Sequence, residues 1–440
     1  MPADDDQPSD LSAPVALPAA GTGERSRRRL SGAKSREDEW RHDRIKTKRR
    51  HLAFVVASLL LVGSVPALVY VGYSSVLNTT HGRTVNPVDD PREPDYQANV
   101  APTPVELVAE VGSDGLLVGA AVLSLSSGST GGSLLLLPAG TVVPASAGGG
   151  TLRTAYVSGG IDGFHRAAAV VLRSGFDGVA VIDPTRWAEL VKPLGSLTVA
   201  NPDKLPKTST TPAFASGSIT LTSDAVGSYV SARRSSSESD LNRVARQQLV
   251  WESYLTALGA ATEPGGFPGE TASGLGRFAL ALAAGSRVDD VLPVTAVTDG
   301  SVADGFTPRA ADAASLVARV IPFPTSDQPG DRIRVRILDG VGSPGLTTAA
   351  ARLLVPAGAE VVIVGNAERF GYASTEVRPV GDGNHDAGVS MQQALALGAV
   401  VPNAVLDDVV EVTVVLGADF AAKVGATTTT LATSSGGGNG

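Results

Sequence analysis

The chain has 440 residues, 43% of them hydrophobic, with no cysteine, five histidines and a formal net charge of −8. Without cysteine there is neither a disulfide framework nor a thiolate metal site, and His42, His51, His81, His165 and His385 are too scattered for a His-rich zinc centre. Residues 1–24 carry −5 and residues 25–50 carry +8, leaving −11 for the rest, so the bulk of the chain is not built as a general polyanion binder.

Residues 1–50 hold few groups able to build a core and read as a disordered, basic cytoplasmic tail. Residues 51–73, HLAFVVASLLLVGSVPALVYVGY, form a 23-residue run without Lys, Arg, Asp or Glu, and about 20 apolar helical residues cross a bilayer. The preceding RHDRIKTKRR has six Lys or Arg against one Asp. Such a flank stays in the cytosol and is drawn to anionic lipid headgroups, which here is the simpler reading than a nucleic-acid arm. The expectation is a single-pass plasma-membrane protein with a cytoplasmic N-terminus and all later domains extracytoplasmic. A buried helix of a soluble protein is the alternative. A cleaved signal does not suit, because a long polar segment precedes the run.

Residues 74–104 read as a Pro-rich linker. From Val105 the pattern turns globular. LLVGAAVLSL (116–125) and SLLLLPAGTVV (133–143) predict buried strands, and FHRAAAVVLRSG (164–175) a helix stopped by Gly175. DGVAVID (177–183) predicts a strand, PTRWAELVKPLG (184–195) a helix capped by Asp183 with Pro184 in its first turn, and SLTVANP (196–202) another strand. This alternation predicts an α/β layered domain over 105–325. Residues 237–259 predict its clearest helix, with Ser239 or Asp240 as N-cap and Gly259 as stop. Leu241, Val244, Trp251, Leu255 and Leu258 share an apolar face, while Arg243, Arg246, Gln247 and Val250 fall on another stripe. Residues 260–320 continue as helical pieces, and TSDQPGD (325–331) marks a boundary.

The last domain, 332–420, reads as a small α+β unit. Its strands are RIRVRIL (332–338), AEVVIVGNA (359–367), STEVRPV (374–380) and DVVEVTVVLG (408–417). Its helices follow DGVGSPGL and begin near Asp386. The order is βαββαβ, the split βαβ arrangement. Residues 421–440 are a low-complexity tail.

Gly340, Gly342 and Gly345 satisfy G-x-G-x-x-G after a strand, which invites a dinucleotide reading. However, the acidic residue about twenty positions on, Glu360, begins its strand instead of ending it, and no further helical crossover follows. No G-x-S-x-G or H-E-x-x-H is present, and His165 and Arg166 read as ordinary helix-surface residues.

The segment 332–417 resembles the LytR C-terminal domain of bacterial cell-envelope proteins. Asp339, Gly340, Gly342, Gly345 and Leu346 stand where that domain has its N/D-G-x-G-x-P/A-G-L turn. Gly365, Asn366 and Ala367 stand at its later G-N-A. The resemblance implies an extracytoplasmic module for binding or protein contact, with no catalytic residues to carry across. Residues 105–325 resemble the LytR–CpsA–Psr domain of single-span proteins that transfer glycopolymers from polyprenyl pyrophosphate to peptidoglycan. Ser113 and Asp114 match its S-D-T, with Gly115 for Thr. Ala155, Tyr156, Gly159 and Gly160 match A-Y-x-x-G-G. Arg233 or Arg234, then Asp240, Arg243, Arg246 and Gln247, match R-x-R followed by D-x-x-R-x-x-R-Q. The family's P-R-D-T is broken: Ala139 and Gly140 stand in place of Arg and Asp. Gly112 also replaces an Arg expected before Ser113.

The resemblance implies catalytic roles for Asp114, Arg243 and Arg246, phosphate contacts from Arg233, Arg234, Asp240 and Gln247, and a Mg²⁺ held by Asp114, with no other cofactor. A polyprenyl-phosphate glycolipid and peptidoglycan are the implied partners. Pyrophosphate transfer depends on guanidinium forks and a carboxylate-held metal, and loss of one such arginine costs about 10³-fold or more in rate. Two readings follow. One is a glycopolymer-assembly protein that binds a polyprenyl-phosphate-linked glycan beside the membrane. The other is a non-catalytic cell-wall-binding or scaffolding protein acting through the LytR C-terminal domain. On spacing alone, Arg243 and Arg246 make a solvated face with Asp240 as a cap. An open apolar groove ending at these arginines would go with lipid binding, and a filled one with scaffolding.

Overall fold

The computed structural model describes residues 88–425, except 129, 210, 262–266, 270, 301, 303, 403–406 and 408. The expected tail 1–50, the apolar run 51–73, residues 74–87 of the linker and 426–440 of the C-terminal tail lie outside the described residues, while 421–425, expected in a disordered tail, are helical with Ala421 and Val424 packed on the C-terminal core. Among the described residues no helix is long and apolar enough to cross a membrane.

Five strands build the first sheet: β2 (Val105–Val111), β3 (Leu117–Leu125), β4 (Gly132–Leu137), β5 (Gly178–Ile182) and β8 (Arg287–Val291), in the order β5-β2-β3-β4-β8. The β2–β3 and β3–β4 pairs are antiparallel, while β5 joins β2 and β8 joins β4 in parallel. Helices cover both faces. On one, Val108, Ala121, Leu123, Leu134 and Leu136 pack against α2 (Pro184–Val191), α4 (Asp240–Ala260) and α5 (Gly274–Ala284). On the other, Leu107, Ala109, Val122, Leu135 and Leu137 pack against α1 (Leu152–Leu172) and α6 (Ala310–Val320). A strand buried on both faces reads as a continuous apolar run, which is why 116–125 and 133–137 are conspicuous; β4 ends at Leu137, short of the expected 143, because Pro138 has no N–H to continue the ladder.

Several expectations are corrected here. α1 starts at Leu152, well before 164, with a Thr151–Thr154 capping box and a kink at Gly160 (φ 60°). The glycines of YVSGG, poor helix formers, mask that first half. β6 (Ser196–Asn201) is a strand, but it pairs with β7 (Gly217–Thr222) in a separate ribbon. Residues 260–320 are not all helical: β8 lies there, as do β9 (Val294–Ala296) and β10 (Phe306–Pro308), which form a two-stranded ribbon. Gly259 does not stop α4, which runs on to Ala260; a Cβ at 259 would collide with the Ala283 carbonyl, so the glycine lets α4 and α5 touch.

The second sheet holds β11 (Ile333–Asp339), β12 (Ala359–Asn366), β13 (Glu376–Pro379), β14 (Ala399–Val400) and β15 (Val412–Leu416), with α7 (Leu346–Leu354) and α8 (His385–Leu395) packed on it. Apart from the short β14, the elements follow the expected βαββαβ order. One further strand, β1 (Gln97–Asn99), comes from the segment read as linker and pairs antiparallel with β12. The Gly-rich turn is no phosphate cradle. The Asp339 carboxylate already accepts the N–H groups of Val341 (2.8 Å), Gly342 (2.9 Å) and Ser343 (2.7 Å), which are the donors a phosphate would need.

β15 is tied to β13 through Asp419. Its carboxylate accepts the Thr375 N–H and hydroxyl (2.7 Å to Oγ1), while that hydroxyl accepts the Gly417 N–H at 3.0 Å. Burial pushes the Asp419 carboxyl up, but these bonds outweigh it and hold it below the ordinary carboxylate value. A carboxylate depressed on folding contributes stability that is present above its unfolded pKa and lost as pH falls through the folded one. Asp419→Asn should therefore lower stability at neutral pH by about 1–2 kcal/mol and flatten the acid limb of a pH-dependent denaturation series.

Candidate functional site

The D-x-x-R-x-x-R-Q residues converge at the N-terminus of α4. Ser239 caps the helix, its hydroxyl accepting the Leu241 N–H at 3.2 Å. Asp240 beside it is fully buried and takes guanidinium donors from three parts of the chain. Its Oδ1 accepts Arg233 Nη2 at 2.7 Å and a short bond from Arg243 Nη2, and its Oδ2 accepts Arg153 Nη2. Arg153 sits in the first turn of α1 and also donates from Nε to the Leu117 carbonyl at 3.1 Å. Arg233 reaches the Glu238 carbonyl at 3.0 Å and the Asp304 carboxylate at 3.4 Å.

Arg243 is 4% exposed and its Nε has no hydrogen-bond partner among the described residues. Burial pulls its pKa down to about 10; Asp240 opposes that, and the positive charges of Arg233 and Arg153 add to it. Asp304 is pushed up, first by burial and then by the charge of Asp240. Arg153, Arg233 and Arg243 against Asp240 and Asp304 leave one net positive charge.

Arg246 and Gln247 do different work. Arg246 forms a bidentate fork with Glu238, Nη1–Oε1 2.9 Å and Nη2–Oε2 3.0 Å, and donates to the Ala232 carbonyl at 2.8 Å. Burial pushes Glu238 up, but the Arg246 bonds outweigh it and hold the carboxyl below its ordinary value. Gln247 Nε2 donates to the carbonyls of Val118 (3.3 Å) and Val230 (3.4 Å), in space that only a glycine at 119 leaves open. These two side chains clamp α4 to β3 and to the end of α3 (Ser223–Ser231). Arg234 points outward and meets Asp203 at 3.4 Å. The solvated stripe expected from helical spacing is thus buried, because the α3–α4 connection folds over it.

Asp114 is exposed in the β2–β3 turn, with Oδ1 accepting the Leu116 N–H at 3.1 Å. Among the described residues no group of three His, Asp or Glu is placed to hold a metal ion. At the end of β4, Ala139 is fully buried, and a Cβ on Gly140 would collide with the Asp304 carbonyl oxygen. The chain is stitched there by bonds between Gly140 and Phe306 (2.9 Å) and between Val142 and Phe306 (2.8 Å). An aspartate at 140 has no room.

The helix-covered face next to the cluster is filled. Trp187, Trp251 and Tyr254, all 1% exposed or less, pack edge to face with ring centroids 5.1–6.2 Å apart. Trp251 Nε1 donates to Glu110 Oε1 at 2.5 Å, and Glu110 is pushed up to about 7 by burial, against the Trp251 bond and the charge of Arg243. Among the described residues, cavities of about 440 and 1150 Å³ are lined by other residues than Asp240, Arg243 and Arg246. Sequence reasoning missed Arg153, Glu238, Asp304 and Glu110. Only Glu238, in the SESD that opens α4, had a local cue; the others have no fixed spacing to the motif.

Residues 332–420 match the family described as LytR cell envelope-related transcriptional attenuator. This segment belongs to that family. No curated protein matches the chain in sequence. Similar solved structures include a Streptococcus agalactiae protein (15% identity, 50% of this chain and 86% of that one, TM-score 0.42). TagV of B. subtilis matches at 15% identity (50% and 96%, TM-score 0.41), and TagT of B. subtilis at 16% (53% and 93%, TM-score 0.38). At these identities and scores no residue role is assigned from them.

Glu238→Ala strands Arg246 in the interior and should cost about 3–5 kcal/mol. Arg234→Ala, which breaks only the exposed pair with Asp203, should cost less than about 1 kcal/mol. Chemical denaturation of the two variants checks both values.

Proposed function

We propose that the chain is a membrane-anchored, extracytoplasmic protein of cell-envelope glycopolymer assembly that has lost transfer and works as a non-catalytic scaffold. Its LytR–CpsA–Psr-like unit is the structural body, and its LytR C-terminal domain makes the contacts, with peptidoglycan the implied partner. The observation that carries this reading is the closure at Gly140, where the Asp304 carbonyl occupies the space an acidic side chain would need. The internal carboxylates support it: Asp240, Asp304 and Glu238 already engage the arginines that pyrophosphate chemistry would require. The Trp187–Trp251–Tyr254 rings, packed against one another under α4, are consistent with a structural core there. The anchoring rests on the uncharged run 51–73 and its basic flank.

A second reading, binding of a polyprenyl-phosphate headgroup without transfer, is favoured by the cluster's one excess positive charge and by the Arg243 Nε, which has no partner among the described residues. A Mg²⁺ held by Asp114 would complete its shell with water and the ligand's phosphate oxygens.

Purified protein given Mg²⁺ and a polyprenyl-pyrophosphate glycan should release no polyprenyl phosphate above a protein-free control. Gly140→Asp should not restore it. Turnover by the wild type would end the scaffold reading. Since the chain has no cysteine, one introduced at Asp114 should react with an impermeant thiol reagent in intact cells, and one introduced at Ser12 should not. The reverse pattern would refute the topology.

A further inference from the structure

The Gly365–Asn366–Ala367 motif is untouched by the function above, yet it is among the most densely bonded places in the C-terminal unit. It ends β12, and β1 lies alongside as an added antiparallel strand, with Gln97 opposite Gly365, Ala98 opposite Val364 and Asn99 opposite Ile363. The Asn366 backbone N–H donates to the Tyr96 carbonyl at 2.7 Å. Its side-chain Nδ2 donates to two further carbonyls, Pro91 at 2.9 Å and Glu93 at 2.6 Å. Two carbonyl acceptors fix which way the carboxamide faces, since only its nitrogen donates. The Asp95 N–H returns a bond to the Ala367 carbonyl, and the Val100 N–H one to Val362, both at 2.9 Å. Any Cβ on Gly365 would collide with the Tyr96 carbonyl, so the strand can lie this close only over a glycine.

Each motif residue therefore acts on the same segment. The glycine admits the strand, the asparagine captures three carbonyls, and the alanine carbonyl takes the Asp95 N–H. A sheet edge that accepts an extended peptide in this way is a recurring recognition mode, and an edge left bare is an aggregation hazard. We propose that the Gly365–Asn366–Ala367 motif is a strand-acceptor clamp, and that its occupant is the chain's own segment 91–100. The clamp fastens the polypeptide entering the first sheet to the far edge of the C-terminal sheet, so two units distant in sequence are held by one strap. It requires neither a membrane nor a glycopolymer.

Hydrogen exchange on the full chain, solubilised in detergent, reads the clamp directly. Asn366→Ala should speed exchange of the Asp95 and Val100 amides by about tenfold or more while leaving the β11 and β15 amides protected. Val100→Pro, which removes a strap donor and leaves residues 332–420 untouched, should speed exchange at Asp95 in the same way. If Asn366→Ala unfolds the whole C-terminal unit, the proline variant decides alone. Unchanged protection at Asp95 in the proline variant overturns the proposal, as does unchanged protection at Asp95 and Val100 in a folded Asn366→Ala chain.

Discussion

The carboxylate of Asp240 is the point on which the first unit depends. It gathers guanidiniums from α1, from the α3–α4 connection and from α4 itself, and through Arg153 it reaches the Leu117 carbonyl of β3. Buried charges are tolerated only when paired and hydrogen-bonded, so these elements have to meet where they do. The same requirement explains why Glu238 folds back onto Arg246. The helix N-terminus adds its own preference for negative charge, and Asp240 satisfies that as well. The electrostatics that could attract a pyrophosphate are thus largely answered by the protein's own acids.

Packing completes what the charges begin. Asp304, in a left-handed conformation (φ 51°), places its carboxylate against Arg233 and its carbonyl over Gly140. Phe306 then seals the exit of β4 through backbone bonds. On the neighbouring helix-covered face, the Trp187–Trp251–Tyr254 cluster and Glu110 fill the space beneath α4. The space that a side chain at Gly140 would need is taken by the Asp304 carbonyl. The C-terminal unit stands on a separate core, joined to β1 through its own backbone bonds.

Much of the fold could be read from the residues. The run at 116–125 is a strand with both faces covered, 177–183 is an apolar strand at the sheet edge, and Asp183, Pro184 and Ser239 mark helix starts by their capping chemistry. The C-terminal βαββαβ order follows from alternation and turn glycines. β2 escaped notice because Glu106 and Glu110 break its apolar run, although both are buried. β1 is three residues long, QAN, and carries no pattern at all. The site was legible as a motif and misread as an environment. Helical spacing puts Arg243 and Arg246 on one stripe but does not say that residues 232–239 cover it. Arg153 and Asp304 reach the cluster across 87 and 64 positions from Asp240, a distance at which no local pattern operates.

The most direct test is a crystal structure of the protein soaked in inorganic pyrophosphate with Mg²⁺. The account predicts Asp304 still over Gly140, Arg153, Arg233 and Arg243 still on Asp240, and no anion among them. Pyrophosphate bound to Arg243 with Asp304 displaced would contradict it.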